Sequence, residues 1–169
     1  MRILKLSVLS ILLALAPAAA RAQKAIFVVR HAEKTADQQQ LLTEAGRARA
    51  QRLAAMLKDS GIVAIYSTNT ERTRGTVQPL ADALKLKIEL YDTGGSMSGK
   101  VDARPFVAAL RKAHPNDVVL VVGHSNTLPN LLENLGCKEK IALGDNEYDN
   151  LFVVVPKADG SATLLRLRY

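Results

Sequence analysis

Residues 117–124 read Asp117-Val118-Val119-Leu120-Val121-Val122-Gly123-His124. An unbroken aliphatic run with no polar alternation is buried on both faces, which places this strand at the centre of a parallel sheet. The run stops at a glycine and a histidine, so polar chemistry starts where the strand ends. Ala25-Ile26-Phe27-Val28-Val29 is a second such run, and it too stops at a polar pair, Arg30-His31. Apolar runs alternating with amphipathic stretches predict an α/β sheet.

The intervening chain fits that pattern. Thr43 is a candidate N-cap, and Ala50, Leu53, Ala54 and Leu57 then recur at helical spacing until Ser60-Gly61. Ile62–Tyr66 is the next strand. Glu71–Leu84 reads as a helix kinked or broken at Pro79, and Lys85–Tyr91 as a weaker strand. A Gly/Ser loop over Asp92–Gly99 precedes helices at Asp102–Ala113 and Thr127–Leu135. Asn150–Val155 and Ala162–Tyr169 flank Asp159-Gly160, a hairpin signal, so an antiparallel pair closes the sheet.

Upstream of the first strand, Arg2 and Lys5 precede the uncharged run Leu6–Leu15, and Ala20-Arg21-Ala22 supplies an A-x-A site. Residues 1–22 therefore read as a secretory signal peptide cleaved after Ala22, with an uncleaved anchor as the alternative. Residues 23–169 are then a single exported domain, periplasmic or secreted, with no stable membrane insertion after cleavage. The chain of 169 residues has 23 Lys and Arg against 16 Asp and Glu, a formal charge of +7. Arg2, Lys5 and Arg21 leave with the leader and no acid does, which lowers the charge to +4. No Lys/Arg block interleaved with aromatics remains, so nucleic acid is not an expected partner. One cysteine, Cys137, excludes an intramolecular disulfide.

Ligands of open α/β sheets bind beyond the carboxyl ends of the strands. His31 and His124 follow the two most apolar strands, and Arg72 opens the helix after the next one. Guanidinium forks match phosphate oxygens, so Arg30 and Arg72 read as an oxyanion clamp, with Thr68 and Asn126 as neutral donors. Two imidazoles and two guanidiniums around one anion suit phosphoryl transfer through a nucleophilic imidazole. No H-E-x-x-H or Cys/His cluster offers a metal site, and His114, in His-Pro at a helix end, reads as a surface residue. Gly123-His124-Ser125-Asn126-Thr127 lacks the spacing of a serine-hydrolase elbow.

The run Val29-Arg30-His31-Ala32-Glu33-Lys34, then Leu42-Thr43-Glu44-Ala45-Gly46-Arg47, then Thr68-x-x-x-Arg72-x-x-x-Thr76, then Val122-Gly123-His124-Ser125-Asn126-Thr127, resembles the ordered motifs of the histidine phosphatase superfamily, the phosphoglycerate-mutase-like fold. The resemblance implies a three-layer α/β/α sandwich with a mostly parallel central sheet and no metal or organic cofactor. It implies that His31 is the phosphorylated nucleophile and that Arg30, Arg72 and His124 line the phosphate pocket. Two positions depart from the family pattern: Ala32 stands where glycine is usual, and Ser125 where one branch has an acidic proton donor. Asp92 is the expected general acid, Glu89 the runner-up, and Glu33 a third candidate that could instead orient an arginine or His31 or bind substrate.

The expected activity is an exported phosphatase acting on a phosphomonoester or a related phosphoryl group. The alternatives are an anion-binding module of the same fold and, less favoured, a phosphomutase. The substrate classes are a phosphorylated small molecule, an envelope sugar or a phosphoprotein, and the oligomeric state is open. Thr35–Gln40, Asp92–Lys100 and Lys138–Asp149 are the expected pocket walls, with Lys34, Lys100 and Tyr148 as possible substrate contacts.

Overall fold

The structure is a computed structural model that describes residues 24–93 and 101–169. The proposed leader, most of the Asp92–Gly99 loop and Lys100 lie outside the described residues. Six strands form one sheet: β1 (Ala25–Arg30), β2 (Ile62–Ser67), β3 (Ile88–Leu90), β4 (Val118–Gly123), β5 (Asn150–Pro156) and β6 (Ala162–Arg168). Their order is β3-β2-β4-β1-β5-β6. The first four run parallel, β5 is antiparallel to β1, and β6 is antiparallel to β5. As its sequence predicts, β4 lies between two parallel neighbours.

Side-chain alternation along β4 divides the core into two layers. Val119 and Val121 pack with Val107 and Leu110 of α3 (Arg104–Ala113) and with Leu128, Leu131 and Leu132 of α4 (Leu128–Asn134). Leu120 and Val122 pack on the other face with Leu53 and Leu57 of α1 (Glu44–Leu57) and with Val77 and Leu80 of α2 (Glu71–Leu84). This is the three-layer sandwich, with period-2 burial in the strands and period-3.6 burial in the helices.

Thr43 caps α1 as its sequence predicts, its hydroxyl accepting the Gly46 N–H at 3.1 Å. Other expectations need correction. α2 is one helix from Glu71 to Leu84 with Pro79 inside it. Proline removes a single ladder hydrogen bond, and buried Thr73, Thr76, Val77, Leu80 and Ala81 hold both halves of α2 in the protein interior. β3 spans three residues instead of the expected Lys85–Tyr91, because Lys85 is left-handed (φ 56°) and only Ile88–Leu90 pair with β2. α3 starts at Arg104, with Pro105 in its first turn.

Candidate active site

Three strand ends meet at one edge of the sheet. Arg30 is in register with Gly123, and Ser67 with Val122, so the next residues along, His31, Thr68 and His124, emerge side by side. The His31 N–H donates to the Gly123 carbonyl at 2.9 Å, tying the first and last of these strand ends together. The imidazole rings of His31 and His124 stand edge to face with centroids 5.4 Å apart. Gly123 is required here: a Cβ would lie 2.9 Å from the Tyr91 hydroxyl and 3.0 Å from Leu128.

Hydrogen bonds assign the tautomer of each ring. His31 is buried, and its Nδ1 lies 2.8 Å from the Ala32 carbonyl, an acceptor, so Nδ1 carries the hydrogen and Nε2 keeps its lone pair. His124 Nδ1 faces Nη2 of Arg72 at 3.3 Å. A guanidinium only donates, so the His124 hydrogen sits on Nε2, which donates to Thr68 Oγ1 at 2.8 Å. Thr68 donates in turn to Thr73 Oγ1 at 3.1 Å. Burial lowers His31 to about 4, assisted by the charges of Arg30 and Arg72, while the bond to Ala32 opposes the shift. Burial, then Arg72, His31 and Arg30, take His124 to about 3. Both rings are neutral at physiological pH.

The arginines are held from behind. Nη1 of Arg30 donates to the carbonyls of Gly144 (2.8 Å) and Asp145 (2.9 Å), and its guanidinium lies 4.2 Å from the Tyr148 ring centroid. Nη1 of Arg72 donates to Gln40 Oε1 at 2.5 Å. The Nε atoms of both arginines are buried and hydrogen-bond to none of the described residues. Two buried donors beside two neutral imidazoles form a cationic site that fits an oxyanion, since a buried unpaired donor is costly.

The model of the histidine phosphatase superfamily (branch 1) matches residues 26–93. Over that stretch the chain is similar to the histidine phosphatase superfamily. Solved structures share its fold. The protein histidine phosphatase SixA complexed with tungstate has a TM-score of 0.67 at 19% identity, over 85% of this chain and 96% of that one. The mycobacterial glucosyl-3-phosphoglycerate phosphatase Rv2419c in complex with VO3 has 0.63 at 16%, over 86% and 98%. The phosphoserine phosphatase from Entamoeba histolytica, solved with phosphoserine, has 0.64 at 14%, over 84% and 95%. No curated protein matches the chain.

The remaining expected residues separate in the structure. Ala32, in place of glycine, is fully buried in a small cluster with Leu42 and Ala50, and its N–H donates to Thr76 Oγ1 at 2.8 Å. Thr76 donates onward to the Arg72 carbonyl at 2.7 Å, so its hydroxyl joins the two motifs. Asp92 is exposed on the rim of a cavity of about 460 Å³ that also exposes Thr68, Asn69, Thr70, Tyr91 and His124. Glu89 is exposed, in register with Tyr66, and lines a neighbouring cavity.

Glu33, Asn126 and His114 face other partners in the structure. Both carboxylate oxygens of Glu33 accept from Arg49, at 2.7–3.0 Å, so Glu33 orients an arginine of α1 and is committed there. Asn126 is exposed and lines a different cavity, with Asn130, Glu133 and Lys140, because the turn into α4 carries it past the site. His114 is an interior residue, its side chain 15% exposed, held between the Tyr66 hydroxyl at 2.9 Å and Asp117 at 3.0 Å. Gln40 and the 144–145 carbonyls lie in the expected wall segments Thr35–Gln40 and Lys138–Asp149, but their hold on Arg72 and Arg30 was not legible in the sequence. Gln40 sits in an undistinguished Gln38-Gln39-Gln40 triplet, and a backbone carbonyl leaves no mark in a sequence. Among the described residues, no group of three His, Cys, Asp or Glu could hold a metal ion.

Proposed function

We propose that this chain is an exported phosphatase that hydrolyses phosphomonoesters, or a related phosphoryl group, through phosphohistidine at His31. The observation that carries the reading is the bare Nε2 of neutral, buried His31 beside two arginines whose Nε donors are buried and unpaired. The fold neighbours support it: they include phosphatases solved in complex with tungstate, VO3, inorganic phosphate or phosphoserine.

In this mechanism a phosphate group binds against Arg30 and Arg72, whose positive charge offsets that of its oxygens. His31 Nε2 attacks phosphorus in line, the P–N bond forms and the P–O bond to the leaving group breaks. The leaving oxygen takes a proton from Asp92, the acid on the cavity rim. Water then attacks the phosphohistidine, returns a proton to the Asp92 carboxylate and releases phosphate and neutral His31. No step calls for a metal or an organic cofactor. His124, its tautomer fixed by Thr68 and Arg72, supports the anion from the opposite strand end. The neighbours are phosphatases named for a protein histidine, a sugar ester and phosphoserine, so the substrate class proposed is a phosphorylated small molecule or protein.

Export rests on residues 1–22, proposed as a cleaved leader before a domain over 23–169. Mature protein starting at Gln23, by intact mass, is the result expected. For catalysis, incubation with an aryl phosphate and denaturing quench is expected to trap an acid-labile, base-stable phosphoryl adduct that His31→Ala abolishes. Wild-type turnover in folded His31→Ala, or anion binding without turnover across a phosphate panel, overturns the reading.

A further inference from the structure

We infer that Glu147 is a positioning residue for Arg30, acting through the turn it closes at residues 144–147 and anchored to β6 by Arg166 and Arg168. The inference rests on the phosphatase reading, because the group it positions is the one assigned to the phosphoryl oxygens.

The segment between α4 and β5 contains no helix or strand of its own, yet it supplies the carbonyls of Gly144, Asp145 and Glu147, at 2.8, 2.9 and 3.4 Å, that hold Nη1 of Arg30. Carbonyl directions in an irregular segment depend on how its turn is closed. Here the closure is double. The Glu147 N–H donates to the Gly144 carbonyl at 3.1 Å, and the Gly144 N–H donates to Glu147 Oε2 at 2.8 Å. The other carboxylate oxygen, Oε1, accepts from Nη2 of Arg166 and Nη2 of Arg168, each at 3.1 Å.

β6 is a firm anchor, since all seven of its residues are in register with β5. The same arginines reach the segment's far end: Arg168 donates to Asp149 at 2.5 Å and Arg166 to Asn150 at 2.6 Å. They also offset the charges of Glu147 and Asp149, which would otherwise repel an oxyanion bound nearby. The Gly144 N–H and Arg168 hold the Glu147 carboxyl below the usual carboxylate range, so the staple is ionised at working pH.

With Nη1 committed to the turn, Arg30 keeps its buried Nε, and with it the Nε–Nη2 edge that matches phosphate bidentately. Swinging that fork out of line by the width of a bond weakens both binding and transition-state contacts.

The test is a double-mutant cycle with Arg30 on an aryl phosphate, each variant's fold checked by thermal melting. Glu147→Ala is expected to lower kcat/KM about tenfold, and to change it less than about twofold when Arg30 is already alanine. Glu147→Gln keeps an acceptor for the Gly144 N–H and is expected to recover most of the loss; it also serves if the alanine variant is too unstable to assay. Equal fold losses in both Arg30 backgrounds, or a glutamine variant no better than alanine, overturn the inference. Arg30→Ala with wild-type kcat/KM overturns the phosphatase reading as well, and so is distinguishable.

Discussion

One hydroxyl receives the hydrogen that Arg72 confines to Nε2 of His124. Thr68 Oγ1 accepts from Nε2 and leaves Nδ1 to Arg72. Thr68→Val keeps the shape and removes the acceptor, stranding a buried N–H at a cost of about 1–3 kcal/mol. The expected result is a loss in kcat/KM of roughly five- to a hundredfold with little change in fold; a rate within twofold of wild type contradicts that role. His31 makes a second prediction. Its lone pair is lost on protonation, and its value near 4 moves that event well below the ordinary histidine range. The acid limb of kcat/KM, which reports the free enzyme, is therefore expected near pH 4, and a limb near 6.5 would place His31 in a wetter, less cationic setting. The meeting of Arg30, His31 and His124 was legible in the sequence because the end of a buried strand fixes the place of the residue after it, whereas Arg72 lies past the strand end, in the first turn of α2. That Glu33 orients an arginine was among the sequence readings, but its partner, Arg49, was not legible, because only the packing of α1 brings it near.

At the level of elements, β1, β4 and the β5–β6 hairpin were visible within a residue or two, since uninterrupted β-branched runs and Asp159-Gly160 admit few alternatives. β3 was not, because alternation over Lys85–Tyr91 says nothing about how much of it finds a neighbour to pair with. The α1 start was legible from Thr43, but the closeness of its approach was not. A Cβ on Gly46 would lie 2.2 Å from the Glu33 carbonyl oxygen, so only glycine lets α1 dock on the segment that follows His31. Gly46→Ala favours the helix intrinsically by about 1 kcal/mol, yet forces backbone apart in a packed region, which costs roughly 1–3 kcal/mol or more. The clash is expected to win. Urea unfolding should show a net loss of stability together with reduced turnover, because the displaced Glu33 segment is continuous with His31. A stabilised variant would mean that the approach relaxes without cost.

Over the whole molecule, most of the well-placed arginines are engaged locally. Arg49, Arg74, Arg104, Arg166 and Arg168 each face a carboxylate, and Arg30 and Arg72 converge on one site. Concentrating cations there has a consequence for folding. Both histidines titrate lower in the folded protein, near 4 and 3, than the unfolded value of 6.5. Between those limits the unfolded chain binds protons that the folded one refuses, so stability is complete above pH 6.5 and falls as pH drops toward 4. From the His31 shift alone the loss is on the order of 3 kcal/mol between pH 7 and pH 4. Carboxylates held low, such as Glu33 and Asp149, add to the slope only at the acid end, because their ordinary values lie at 4.5 and 3.8. The measurement is therefore a difference: urea unfolding of wild type and His31→Gln at pH 7 and pH 4.5. The variant is expected to lose less stability on acidification than the parent. Inorganic phosphate should narrow the gap, since an anion between the arginines offsets the positive charge that assists burial in keeping the imidazoles neutral. Equal losses in the two proteins would mean that His31 is as easily protonated folded as unfolded, which contradicts the lowering that burial and the two arginines are argued to produce.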